Sequence, residues 1–138
     1  MCSFTKGSFT SFEKDIVMPY LEMLYENIFP GTEITDSILK DDPYLIIMFY
    51  ETQPVGLGIL EWNNDNKMNY LHSFGIIKEY RRQGLGKQFW KEIVKLCEGK
   101  FIWEVYSNND IARIFYLEVG GKILYEKNGI VRMIYGSV

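Results

Sequence analysis

The sequence predicts a mixed α/β domain with a largely antiparallel sheet, and three observations predict it. Residues 44–77 hold three strand-like runs in succession, separated by short polar breaks. Residues 68–106 read as strand, glycine-rich turn, amphipathic helix and strand, which is a βαβ unit. The last segment carries Asn128-Gly129 between two apolar runs, the strongest short hairpin signal.

In chain order, residues 11–29 place Ile16, Tyr20, Met23, Leu24 and Ile28 at helical spacing. Pro19 is expected to break or kink that stretch, because it removes a donor and crowds the preceding turn. The nearly continuous apolar run YLIIMFYE (44–51) fits a buried strand, and Gln53-Pro54 reads as the turn into a second, VGLGILEW (55–62). The cluster NNDNK (63–67) is a loop, and MNYLHSFGII (68–77) is the third strand. A helix follows from about Gly84 to Glu98, with Leu85, Phe89, Ile93 and Leu96 on one stripe and Lys87, Lys91 and Lys95 on another. After the strand FIWEVY (101–106), Ser107 to Asp110 offer N-caps for a helix that stops at Gly120-Gly121. KILYEK and IVRMIY form the closing hairpin.

Composition narrows the class. At roughly 100–200 residues per domain, the 138 residues make one domain, 1–138. No apolar run approaches the roughly 20 residues of a membrane span. The N-terminus MCSFTKGSFT has no apolar stretch of a secretion signal, so the expected location is cytoplasmic. Cys2, at an end expected to fray, and Cys97 give no disulfide scaffold. His72 is the only histidine, so no zinc site of the usual Cys/His kind is expected, nor any other metal. Residues 1–70 carry 4 Lys/Arg against 11 Asp/Glu, whereas residues 78–100 carry 7 against 3. A basic block inside an acidic chain points to a local anion site rather than to nucleic acid, which needs a broader basic face. On charge alone, a solvated helix face with scattered lysines is an equal reading.

The stretch Ile76-Ile77-Lys78-Glu79-Tyr80-Arg81-Arg82-Gln83-Gly84-Leu85-Gly86-Lys87 takes the argument further. First-turn amides of a helix lack intrahelical partners and carry partial positive charge, and glycines let an anion approach them. Arg81, Arg82 and Lys87 add full charges. The nucleotide P-loop does not fit, since Gly84 and Gly86 are too close together. The dinucleotide fingerprint fails too, because Phe89 stands where its third glycine belongs. A plain tight turn remains possible on this stretch alone.

The spacing Arg81-x-x-Gly84-x-Gly86 resembles the pyrophosphate loop of the GNAT superfamily, the acyl-CoA-dependent N-acyltransferases. Downstream, Asn109-x-x-Ala112-x-x-x-Tyr116-x-x-x-Gly120 resembles that family's second pattern, and the order of elements agrees over about residues 70–126. The resemblance implies a central, mostly antiparallel twisted sheet of six or seven strands flanked by about four helices. It implies acetyl-CoA as co-substrate, its pyrophosphate on the backbone of Gln83, Gly84, Leu85, Gly86 and Lys87 with Arg81 and Arg82 nearby. The backbone of Phe74 to Ile76 would bond the pantetheine arm, and Asn109 would contact that arm or hold the strand ends apart. Tyr116 matches the tyrosine that commonly protonates the leaving thiolate, a role its phenol suits; packing in the core is the alternative. Lys78 and Gly121 depart from the pattern, which often has proline and phenylalanine there.

Transfer to an amine also needs a proton acceptor. The run WEVYSNNDIARIFYLEVGG resembles that of bacterial N-terminal protein acetyltransferases, in which a glutamate at the position of Glu104 serves as base. Glu104 as a plain strand-edge acid is the competing reading. His72, placed by strand alternation on one face with Tyr70, Phe74 and Ile76, is the second candidate. Glu61 and ordered water are the others. Tyr20, Tyr25, Phe29, Tyr44, Phe49 and Tyr50 line an acceptor pocket or are ordinary core, and acidic residues 22, 26, 33, 36, 41 and 42 attract a cationic acceptor or are simply solvated. Cys97 has no visible catalytic partner, so direct transfer in a ternary complex is expected. The acceptor is a small-molecule or peptide amine, with a homodimer possible. A non-catalytic acyl-CoA sensor of the same fold would keep the loop but not need Tyr116, and a partner-binding domain would need neither.

Overall fold

The computed structural model describes residues 1–137. One seven-stranded sheet, in the order β1-β2-β3-β4-β5-β7-β6, runs through the chain. Its strands are β1 (Cys2–Ser8), β2 (Tyr44–Tyr50), β3 (Gln53–Asn63), β4 (Met68–Ile76), β5 (Phe101–Tyr106), β6 (Lys122–Lys127) and β7 (Ile130–Tyr135). The helices are α1 (Lys14–Ile28), α2 (Asp36–Leu39), α3 (Leu85–Leu96) and α4 (Asp110–Glu118). The mixed class, the strand count and the helix count agree with expectation.

Every strand pair is antiparallel except β4 with β5. That parallel pair is short: Asn69 sits opposite Phe101 and Tyr70 opposite Ile102, and the ladder goes no further. β4 stays bonded to β3 and β5 to β7, so from Tyr70 onward the sheet splits in two.

Helices cover both faces. A Cβ on Gly75 would run into Ile28 of α1, while Cβ atoms on Gly56 and Gly58 would run into Phe89 and Ile93 of α3. These glycines let the helices approach the sheet closely, and Phe89 and Ile93 are wholly buried there. α4 lies on the α3 face and reaches both halves of the split. Phe115 stacks on Phe74 of β4 at 5.9 Å, and Tyr116 packs on Trp103 of β5 at 5.2 Å.

The structure corrects several expectations. Cys2 does not fray: it opens β1, is half-buried and packs on the core. α1 runs on through Pro19, whose fixed φ is helical and whose missing N–H lies in the first half of the helix. The turn before β3 falls at Glu51 and Thr52, with Glu51 left-handed at φ 56; Pro54 sits inside the strand, opposite Phe49 at a register shift where a donor is dispensable. His72 does not share a face with Phe74 and Ile76. Ile59 pairs with Ser73 and Leu60 with Leu71, so a bulge at His72 reverses the alternation and turns Phe74 and Ile76 toward α3. The C-terminal hairpin closes as expected, with Asn128 and Gly129 both at positive φ, 54 and 79.

Candidate active site

The loop after β4 is built to expose backbone. Arg82 and Gly84 both take left-handed φ, 64 and 80, curling the chain so that α3 begins at Leu85 without a side-chain cap. Gln88 is the first amide returned to the helix ladder, through Gly84 O. Beyond its chain neighbours, no atom lies within 4 Å of where a Gly84 Cβ would stand, so the space beside Gly84 is open, whereas the Phe115 ring lies 3.5 Å from where a Gly86 Cβ would stand. Arg81 donates from Nε to Ile76 O at 2.8 Å, tying the loop to the strand end and engaging the Ile76 carbonyl. Arg82, Gln83 and Lys87 are exposed around the loop.

Asn109 stands where β5 gives way to α4. Its side-chain oxygen accepts from Ala112 N at 3.2 Å, so its observed task is to cap α4. Arg113 reinforces the same turn by donating to Ser107 O at 2.7 Å. Ser107 Oγ, Trp90 Nε1 and Trp103 Nε1 are buried without a hydrogen-bond partner among the described residues.

Tyr116 lies against Trp90 and Trp103 on the α3 face of β5. Burial pushes its phenol up to about 12, because a phenolate there would be poorly solvated. Gly121 explains its departure from the family pattern at this spot. A Cβ would come within 2.8 Å of both the Trp103 ring and Tyr116 O, so Trp103 occupies the space a phenylalanine would need.

Glu104 is on the opposite face of β5. Its Oε1 accepts from Tyr70 OH at 3.2 Å, and its Oε2 accepts from Arg132 Nε and Nη2 at 3.2 and 2.9 Å. Tyr70 is pushed up to about 12, mainly by burial and then by the adjacent Glu104 charge. Glu61 sits opposite Tyr70 in the β3–β4 ladder. His72 is exposed at the bulge, with Nδ1 2.7 Å from the buried Ser73 Oγ. Sequence reasoning placed Tyr70 only as a neighbour of His72 and overlooked Arg132; Tyr70 and Arg132 stand 34 and 28 residues from Glu104. Cys97 is buried and its thiol pushed up to about 12, which keeps it protonated and unreactive. No group of His, Cys, Asp or Glu that could hold a metal ion occurs among the described residues, and none of their helices is long and apolar enough to cross a membrane.

The split between β4 and β5 lies beside the residues just described. Glu104 stands on one face of β5 and Tyr116 on the other. In a closed sheet the backbone ladder would separate them. Here, beyond the Tyr70–Ile102 pair, β4 and β5 are no longer paired to one another.

Sequence comparison with curated proteins gives no match. Several solved structures share the fold. The ribosomal-protein-S18-alanine N-acetyltransferase from Escherichia coli superposes with a TM-score of 0.74 at 14% identity, over 98% of this chain and 93% of that one. Arabidopsis thaliana Naa50, in complex with the bisubstrate analogue CoA-Ac-MVNAL, gives 0.71 at 19% identity over 99% of both chains. A GNAT family acetyltransferase from Elizabethkingia anophelis with acetyl-CoA bound gives 0.73 at 16% identity, over 97% and 98%. The family model for acetyltransferases of the GNAT type matches residues 10–120, which take in the loop, the split and α4 with its Asn109 cap. The chain belongs to the acetyltransferase (GNAT) family.

Proposed function

We propose that this acetyltransferase moves the acetyl group of acetyl-CoA directly to a primary amine within a ternary complex. One observation carries the reading: an acidic group and a protonated phenol stand on opposite faces of β5 where the sheet opens, beside a loop of free amides. The amides of Gln83 to Lys87 and the charges of Arg81, Arg82 and Lys87 would hold the pyrophosphate. The unpaired edge of β4 at Phe74 and Gly75 would take the pantetheine arm, with Ile76 adding less because Arg81 engages its carbonyl. Acetyl-CoA supplies the activated acetyl group.

The chain's own residues then manage protons. Glu104 accepts one from the incoming ammonium and passes it to solvent, with Tyr70 orienting the carboxylate. The neutral amine attacks the carbonyl carbon as the carbon–sulfur bond breaks. Tyr116 gives its proton to the sulfur and recovers one from the new amide nitrogen, so the charges balance. His72 and Glu61 line the same face as Glu104 and would contact the acceptor. Structures of this fold include one bound to a peptide-bearing analogue, which supports a peptide amino terminus as one acceptor class.

Calorimetric titration with acetyl-CoA tests the cofactor, alongside Gly84→Glu, which sets a negative side chain over the loop amides. Micromolar binding by the wild type and none by the folded variant are expected. The pentapeptide MVNAL is the first acceptor to assay, followed by spermidine. A wild type that binds no acetyl-CoA ends the reading.

A further inference from the structure

Arg132 of β7 stands directly opposite Glu104 of β5. Its guanidinium carbon lies 5.7 Å from the Tyr70 ring centre and 5.9 Å from that of Tyr125 on β6. A guanidinium held against two aromatic faces keeps few rotamers, and its planar fork passes that rigidity to whatever it grips. It grips only one oxygen. Nε and Nη2 both donate to Oε2, on the β7 side of the carboxylate, while Oε1 faces β4 and the Tyr70 hydroxyl. The charged and titratable groups on the Glu104 face include Tyr70 and, farther along, His72 from β4, Glu61 from β3, Arg132 from β7, Tyr125 from β6 and Tyr106 two residues along β5.

We propose that Arg132 is a positioning residue for the transfer: it fixes Glu104 so that Oε1, together with the Tyr70 hydroxyl, is presented to the acceptor amine. This rests on the acetyltransferase reading above. With the fork in place, Oε1 is the carboxylate's working side. Without it, the side chain is free to turn away and keeps only Tyr70 as a partner. A lysine restores the charge but not the two-point grip, because its ammonium is a single compact donor.

Two measurements on the full chain test the proposal. Side-chain 15N–1H spectra follow Arg132, assigned by its loss in Arg132→Lys. Held in the fork, its Nε–H resonance is shifted and its Nη groups give separate signals; Glu104→Gln is expected to average them. Wild-type Nη signals that are already averaged, or that Glu104→Gln leaves unchanged, overturn the proposal whether or not the protein turns over. In the second measurement, acetylation of the same pentapeptide is followed at steady state. Arg132→Gln is expected to lower kcat about tenfold at unchanged KM for acetyl-CoA, and Arg132→Lys to recover part of the loss. The double variant with Glu104→Gln should be no slower than Glu104→Gln alone, since Arg132 acts through that residue. Full kcat in folded Arg132→Gln, or losses that multiply in the double variant, overturn the proposal. Absence of acetyl-CoA binding by the wild type defeats the acetyltransferase reading instead, and the spectra still report on the fork.

Discussion

Tyr116 and Glu104 differ in how their surroundings treat charge. Tyr116 is enclosed by Trp90, Trp103 and Phe115, none of which stabilises a phenolate, so its proton stays on until about pH 12. Glu104 instead accepts hydrogen bonds from the Tyr70 hydroxyl and the Arg132 guanidinium. Replacing Tyr116 with phenylalanine keeps the ring packing and removes only the donor. Acetyl-CoA binding should then persist while kcat falls about a hundredfold. The sign of the pH dependence follows from the raised phenol. The wild-type to variant ratio should stay level from about pH 7 to about pH 10, because the donor is protonated throughout. A ratio that collapses by about pH 9 assigns the proton to a more acidic group. The motif residues of this site were legible in the sequence, since a loop and a helix cap are local. The Glu104 partners were not, because they arrive from strands 34 and 28 residues away and no local pattern marks them.

Elements were readable where periodicity and punctuation agree, as in α3 with its buried stripe of Leu85, Phe89 and Ile93, or the hairpin turning on Asn128-Gly129. β1 escaped notice because CSFTKGS is mostly polar; it is an edge strand, and Phe4 on Phe89 is its main anchor. The β4 bulge was invisible for a different reason. A one-residue slip leaves composition untouched yet moves every later side chain to the other face. That slip sends Phe74 toward α4 while leaving Tyr70 beside Glu104, so the bulge sets the two aromatic residues of one strand on opposite faces. The join between α4 and β6 supplies the prediction at this scale. Gly121→Phe restores the residue common in the family but forces Trp103 and the Tyr116 carbonyl apart. It should destabilise the fold by about 1–3 kcal/mol, read as a lower urea midpoint at unchanged slope. An unchanged midpoint would mean that Trp103 repacks freely.

At the scale of the whole molecule, two features work together: a sheet divided between β4 and β5, and a core that encloses ionisable groups on both sides of the division. α4 bridges the division through Phe115 on β4 and Tyr116 on β5, and under the proposed function both faces serve one reaction. Enclosing Tyr70, Cys97 and Tyr116 has a consequence for stability. Their ordinary values of 10.0, 9.0 and 10.0 all move up to about 12 in the folded chain, chiefly through burial. Between those limits the unfolded chain has released protons that the folded chain still holds. Stability therefore falls as pH rises through that window, and it is unaffected by these groups below about pH 8. Urea midpoints should be level from about pH 7 to pH 8 and then decline progressively toward about pH 10.5. Cys97 begins to titrate first in the unfolded chain, so Cys97→Ala should flatten the early part of the decline whatever it does to absolute stability. A Cys97→Ala slope that matches the wild type between about pH 8.5 and pH 9.5 would place the alkaline sensitivity elsewhere, in the tyrosines that flank the divided sheet.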